Sequence, residues 1–137
     1  MKSLAVIVTH GAYNNLLQAY QFAKIAADAG TQVNMFFRDE AVAKLTKEKV
    51  LDMQLSAAYM GRESKVRDMY REQKLHDLPA LFRSLKDAGD VKLSVCRESI
   101  AYFEIEVECL IGELDEVQRA EAFWKEAVES ADQVLTF

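Results

Sequence analysis

Three polar side chains follow predicted strands of this sequence where those strands end. His10 follows a first strand, Arg38 follows a second, and Cys96 ends a third. In an open α/β sheet, ligands and catalytic groups collect outside the carboxyl ends of the strands. These residues are therefore the first candidates for chemistry: a nucleophilic thiol, a cation, and a base or hydrogen-bond donor.

Cys96 is the strongest of the three candidates because a predicted helix begins directly after it, at Arg97-Glu98-Ser99. The positive end of a helix dipole and unpaired backbone N–H groups favour a thiolate, and the cation of Arg97 adds to that effect. Cys96 is thus a credible nucleophile. The competing interpretation is a small buried hydrophobe, which is the commonest fate of a cysteine in a protein core.

The other candidates have plain structural alternatives. Cys109 lies on the apolar side of an alternating run, so we expect a packed structural thiol, with a resolving partner for a reactive thiol as the alternative. His10 more often satisfies backbone groups in a loop than acts as a base. Arg38 and Asp39 serve equally well at the start of a helix.

Several kinds of site lack support. The turn after the first strand, Thr9-His10-Gly11-Ala12, has one glycine and matches neither the phosphate-binding loop nor the dinucleotide fingerprint. Two histidines and two cysteines without ligand spacing predict no metal site, and we expect no cofactor. Phe123 and Trp124 lie on a helical apolar stripe, which favours core packing over stacking on a ligand.

The elements that position these residues follow from hydrophobic periodicity. Continuous apolar runs predict buried parallel strands, and spacing of three and four predicts helices. We expect Asn14 or Asn15 to cap the first helix, Gly30 to end it, Asp39 to cap the next, and Asp77 and Gly89 to bound a later one. The predicted strands are 4–8, 32–37, 91–95 and 134–137, and the predicted helices include 14–29, 78–88 and 120–131.

Two stretches give no clean period. Residues 46–75 are predicted to form a mobile helical insert. After Cys96 we expect a short helix that breaks near Glu104 and continues as extended chain. The whole pattern of strands alternating with helices predicts a single α/β domain over residues 1–137, with a mostly parallel central sheet.

The net charge and its distribution limit the classes of molecule that the chain is expected to bind. The net charge of −5 argues against nucleic acid and anionic membranes. The charge is lopsided, because residues 46–75 carry seven basic side chains against five acidic ones, whereas residues 98–137 carry two against eleven. Two cysteines are too few for a disulfide framework, and no secretory signal or membrane span is present, so we expect a cytoplasmic protein.

The chain resembles the DsrE/DsrF-like family of small sulfur-handling proteins, which includes the subunits of the TusBCD and DsrEFH complexes. The residues that carry the resemblance are the opening strand 4–8 with its long helix, the second strand 33–37, the closing segment 131–137, and above all Val91-Lys92-Leu93-Ser94-Val95-Cys96-Arg97-Glu98-Ser99. The last resembles the strand-Cys-x-x-Ser motif of the family. Family members often have a glycine where this chain has Glu104.

The resemblance implies a flavodoxin-like three-layer sandwich, a homo-oligomer or hetero-oligomer, and a cysteine that carries sulfur as a persulfide. By position in the motif that cysteine is Cys96, with Ser99 beside it. Implied partners are sulfur donors or acceptors such as rhodanese-like and TusA-like carriers, and Cys109 is a candidate relay for the sulfur. The alternative is a noncatalytic oligomeric binding or assembly module of the same fold, in which Cys96 is packed.

Overall fold

Five short strands form one parallel sheet in the computed structural model, which describes residues 1–137. In space their order is β4-β3-β2-β1-β5, and every neighbouring pair is parallel. This confirms the predicted α/β fold with a parallel sheet; β4 was not predicted. The strands are Ser3–Val8 (β1), Gln32–Phe37 (β2), Val91–Cys96 (β3), Glu116–Gln118 (β4) and Gln133–Thr136 (β5).

Helices connect the strands, and their ends follow local chemistry. The Asp77 carboxylate accepts a hydrogen bond of 3.2 Å from the Ala80 N–H, so it caps α4 as predicted. Gly30, with φ of 85°, follows α1 in the left-handed region that glycine favours. The helices are Tyr13–Asp28 (α1), Glu40–Ala43 (α2), Glu63–Glu72 (α3), Leu78–Ala88 (α4), Arg97–Tyr102 (α5) and Ala120–Phe123 (α6), with single 3₁₀ turns at Ala57–Tyr59 and Val107–Cys109 and a π-helical turn at Trp124–Val128 that continues α6.

The two faces of the sheet are covered very unequally. On the first face, side chains from β1, β2 and β3 join α1 and α4 in a core of 26 buried residues. On the second face, the buried cluster has five members, Ala5, Phe36, Cys96, Phe123 and Ala127, and the cover is α6 with its π-helical turn. Cys96 therefore belongs to the thinly covered face.

The charged stretch 46–75 is packed onto the first face. Val50 and Met53 are buried in the large core, and the Arg67 Nε donates a hydrogen bond of 2.9 Å to the Met53 carbonyl. The Tyr13 hydroxyl donates to the Leu75 carbonyl at 2.7 Å. The helical part of the stretch is α3, and its mobility stays a prediction.

Several local predictions were wrong. Neither Asn14 nor Asn15 caps α1, since Asn14 hydrogen-bonds Ser56 and Asn15 donates to the His10 carbonyl. Asp39 precedes α2 without a side-chain cap. The extended run predicted after Glu104 is instead a 3₁₀ turn at Val107–Cys109.

None of the helices is long and apolar enough to cross a membrane.

Candidate functional site

Cys96 is the last residue of β3 and the residue from which α5 begins. Its backbone is extended, with φ of −76° and ψ of 120°, and its thiol forms no capping hydrogen bond. The predicted strand-to-helix position is therefore confirmed. Because α5 has six residues, the field at its start is that of a short helix, and the neighbouring side chains decide the chemistry of the thiol.

A row of polar side chains crosses the second face at the carboxyl ends of four strands. Cys96 pairs with Gln118 of β4, and Val95 pairs with Phe37 of β2, so the next residue of β2, Arg38, lies beside Cys96. The Arg38 N–H continues the ladder by donating to the Val8 carbonyl of β1 at 2.8 Å. Since side chains alternate along a strand, Arg38 leaves the sheet on the same face as Cys96. In strand order the row is Thr9, Arg38, Cys96 and Gln118.

Phe123 of α6 helps close the second face around Cys96. Its ring stacks on that of Phe36 with a centroid distance of 4.5 Å and an interplanar angle of 9°. Both rings belong to the buried cluster that holds Cys96, whose exposed fraction is 0%. A reagent reaches this thiol only after α6 or its neighbours move.

Two hydrogen bonds pin α6 to the edge of the sheet near Cys96. The Ala120 N–H at the start of α6 donates to the Glu98 Oε1 at 3.1 Å. The Gln118 Nε2 donates to the Glu126 Oε2 at 2.7 Å. Gln118 of the polar row and Glu98, two residues after Cys96, thus hold the cover in place. The π-helical turn that follows α6 is a geometry often found at functional sites.

Two polar atoms of this region are buried without a hydrogen-bond partner, the Nε of Arg38 and the Oε2 of Glu98. Folding strips both atoms of water, and each unsatisfied group costs about 1–3 kcal/mol. One is a donor and the other is an acceptor. A group introduced beside Cys96 therefore finds hydrogen-bonding capacity that the protein itself leaves unused.

Ser99, the last residue of the Cys-x-x-Ser motif, fixes the neighbouring loop. Its buried hydroxyl oxygen accepts a hydrogen bond of 2.8 Å from the Asp39 N–H. Asp39 has φ of 50°, which is strained for a residue with a side chain, so this bond helps to hold the turn after Arg38. Ser99 is a positioning residue here, and the motif links the ends of β2 and β3.

The remaining predicted site residues lie apart from the row. His10 is exposed, and its carbonyl accepts a hydrogen bond from the Asn15 side chain. Both interpretations of its imidazole, as a base and as a partner of backbone groups, stay predictions. Arg97 is exposed. Cys109 is exposed, so the prediction of a packed thiol was wrong: residues 107–109 form a turn, and the thiol lines a surface cavity of about 370 Å³ with Lys47 and Lys49.

Sequence reasoning missed Thr9, Glu98, Gln118 and Glu126, and it placed Trp124 wrongly in the core. Trp124 is 56% exposed because the π-helical turn moves it off the stripe that Phe123 occupies. Glu98 stands inside the Cys-x-x-Ser motif, which was a usable signal. Gln118 gave none, since β4 has three residues and no apolar run.

Glu104, which stands where the family often has glycine, has φ of 53°. This left-handed conformation ends α5 and is one that glycine adopts without strain.

Comparisons with known proteins agree with this architecture. The profile of the DsrE/DsrF-like family matches residues 2–137. A solved structure, that of the protein of unknown function MTH1491 from Methanobacterium thermoautotrophicum, is similar over 100% of both chains, with a TM-score of 0.64 and 10% identity. At that identity the likeness concerns the fold alone. Comparison with curated proteins gives no match.

Proposed function

Because this chain belongs to the DsrE/DsrF-like family, a family generally linked to sulfur relay, we propose that it takes up sulfane sulfur as a persulfide on Cys96 and passes it on. The observation that carries the proposal is the position of Cys96. It ends β3 at the carboxyl edge of the sheet, inside a polar row and next to the Ser99 contact that joins two strand ends. A merely structural cysteine needs none of these polar neighbours.

The proposed reaction conserves atoms and needs no external oxidant. The Cys96 thiolate attacks the outer sulfur of a donor persulfide R–S–SH, the S–S bond of the donor breaks, and R–S⁻ leaves. The product is Cys96–S–SH. An acceptor thiolate then attacks its outer sulfur, and Cys96 departs as thiolate, so a neutral sulfur atom moves in each step.

Access is the second requirement, and α6 supplies the means to control it. The helix itself spans Ala120–Phe123, followed by the π-helical turn, and it is the cover of the second face. A short segment with few buried contacts opens at a lower free energy than the core does. We propose that local displacement of α6 exposes Cys96 to the donor.

A second candidate function is favoured by one observation, the 0% exposure of Cys96. In a noncatalytic assembly module the thiol is permanent packing, and surfaces such as Trp124 and Val134, which are 56% and 41% exposed, contact partner subunits. Homo-oligomerisation belongs to both proposals.

The proposed partners are donor or acceptor proteins of the rhodanese-like or TusA-like kind, in the reducing environment of the cytoplasm. Exposed Cys109 is the proposed relay thiol. It lies in a surface cavity whose lining also carries Lys47, Lys49, Glu48 and Glu108, so an incoming sulfur species reaches the thiol past two cations and two carboxylates.

The test is intact-protein mass spectrometry after exposure to inorganic polysulfide, with and without reductant. Because Cys109 is exposed and reacts in any case, Cys109→Ser is the reference protein, and Cys96→Ser with Cys109→Ser is its matched control. We expect a reducible gain of sulfur mass in the reference that disappears in the double variant. No gain in a folded reference protein contradicts the carrier and favours the assembly module.

The complementary variant, Cys96→Ser alone, tests the relay. If Cys109 receives its sulfur from Cys96, this variant fails to pass sulfur to an acceptor thiol although Cys109 is present. Transfer at the wild-type rate by Cys96→Ser would show that Cys109 acts without Cys96.

A further inference from the structure

Arg38 has an unused hydrogen-bond donor next to the proposed nucleophile. The Arg38 Nε is buried without a hydrogen-bond partner. The register between β2 and β3 places residue Arg38 beside Cys96 on the same face of the sheet. Neighbouring strands of a sheet are roughly 4.8 Å apart. Because the backbones of the two residues are this close, the long Arg38 side chain is able to extend to a group attached to the Cys96 sulfur.

No carboxylate of the chain pairs with Arg38. The ion pairs of the protein join other residues, and none includes this guanidinium. A partly buried cation without a counter-charge is unfavourable, and proteins normally pair such groups. The missing counter-charge is therefore expected to arrive with a ligand or a covalent group.

We propose that Arg38 holds the negative charge of the persulfide on Cys96, that is, the terminal sulfur of Cys96–S–S⁻. This inference rests on the proposed function and adds the group that stabilises its intermediate. A persulfide S–H is more acidic than a thiol, so Cys96–S–SH gives its proton to solvent readily while it waits for an acceptor, and it takes a proton back from solvent before the acceptor thiolate attacks its outer sulfur. The terminal sulfur extends roughly 2 Å beyond the cysteine sulfur. Arg38 acts on the intermediate and leaves the bond-breaking step to the two sulfur atoms.

Other charges around the row oppose or dilute this effect. Glu98 of α5 has a buried, unpaired Oε2 and disfavours an anion beside it. Glu126 of the π-helical turn is held by Gln118, and Arg97 is exposed to solvent, which screens its charge. The further charges on the packed elements are Asp39 after β2, the Lys92–Glu116 pair on β3 and β4, and the pair between Glu121 of α6 and Lys125 of the π-helical turn.

The test uses the Cys109→Ser protein loaded with inorganic polysulfide and freed of excess reagent. The rate at which iodoacetamide alkylates the loaded sulfur is followed by intact mass across pH, and its midpoint reports deprotonation of the persulfide. Opening of α6 scales the rate at every pH, so a change in opening alone leaves the midpoint in place.

We expect Arg38→Gln to raise this midpoint by about one pH unit or more, as loss of a close opposite charge does, and Arg38→Lys to raise it less. Glu98→Gln is expected to lower the midpoint, because it removes a like charge. Arg97→Gln, the matched loss of an exposed arginine, is expected to move it by less than about 0.3 unit.

Shifts of opposite sign in Arg38→Gln and Glu98→Gln are not produced by loss of packing, and they support the proposal. An unchanged midpoint in Arg38→Gln, with Cys96 loaded to the usual level, overturns the role of Arg38 and leaves the sulfur carrier standing. Failure of the reference protein to load at all overturns both.

Discussion

The first face of the sheet is sealed by helices of 16 and 11 residues, whereas the second is covered by a four-residue helix and one π-helical turn. Five strands spaced roughly 4.8 Å apart are wider than one helix of about 10 Å, so α6 cannot seal the second face. The buried cluster on the first face has 26 members and that on the second has five.

The two faces also differ in the buried polar groups that they carry. The unpaired atoms of Arg38 and Glu98 both lie near the α6 side of the strand ends, and so does Cys96. A thick apolar layer stabilises the fold, and a thin one leaves room for groups that are unfavourable in a folded core. The large apolar core therefore lies on one side of the sheet, and the unpaired buried polar atoms lie on the other, which is where a reactive site is proposed.

The largest loss of stability is expected when a large side chain is removed from the first face. Phe82 of α4 is fully buried against Phe37, with ring centroids 5.6 Å apart. We expect Phe82→Ala to lower the free energy of unfolding by about 3–5 kcal/mol, because a cavity remains in a layer that cannot collapse. Urea unfolding measures the loss. A loss below about 1 kcal/mol would contradict the assignment of stability to this face.

Removal of the corresponding aromatic ring from the second face is expected to cost less and to change reactivity. Phe123→Ala removes the ring stacked on Phe36, and we expect a loss of roughly 2–3 kcal/mol, below the usual range because the thin cover relaxes. Native alkylation of Cys96 should rise at least about tenfold, which is the effect of a 1.4 kcal/mol easier opening.

Trp124→Ala is the matched control for that variant, since Trp124 follows Phe123 but is 56% exposed. It should change neither stability nor the alkylation of Cys96 appreciably. Equal acceleration by both variants would show that the π-helical turn, rather than the Phe123 ring, controls access.

The first face was largely predictable and the second was not, for a physical reason. Strand β1 is a continuous apolar run, β2 and β3 carry apolar residues that largely alternate with polar ones, and α1 and α4 have clear helical spacing, so hydrophobic patterning located all five elements. Strand β4 is three residues long and leaves no such pattern. A helix over 120–131 was predicted from its spacing, but its passage into a π-helical turn at Trp124 was not.

The position of Cys96 could be predicted from the sequence, and the residues that surround it could not. The motif from β3 through Ser99 pointed to Cys96, and its position held. The position of Arg38 beside Cys96 depends on register between strands far apart in sequence, and the exposure of Cys109 depends on a turn that replaces the alternating pattern. Long-range register and local turns that override periodicity lie outside what spacing can predict.

A glycine substitution tests the backbone strain at the end of α5. Glu104 has φ of 53°, and glycine adopts this conformation without strain. We expect Glu104→Gly to raise the free energy of unfolding by about 0.5–1 kcal/mol, and Lys74→Gly, at φ of 59° on the first-face side, to give a similar gain. Chemical denaturation measures both. A loss of stability in Glu104→Gly would show that its side chain contributes more than its backbone costs.

The smallest expected effect is at Asp132, which lies between the π-helical turn and β5. Backbone N–H groups of Lys2 and Ser3 donate to the Asp132 carboxylate and hold its pKa below the usual value. A folded-state pKa below the unfolded one adds stability above the unfolded value, near 3.9, and this is lost as pH falls through the folded pKa. Asp132→Asn should therefore be less stable than wild type near neutral pH, and the difference should shrink in acid. A pH-independent difference in urea midpoint would contradict this.

The central claim is that Cys96 reacts through local opening of the second face rather than through global unfolding. Its most direct test is the alkylation rate of Cys96 in the Cys109→Ser protein, measured in increasing urea below the unfolding midpoint. Local opening exposes little surface, so the predicted dependence on urea is much shallower than the m-value of global unfolding. A slope equal to the global m-value would show that Cys96 is exposed only when the whole domain unfolds, and would contradict the account.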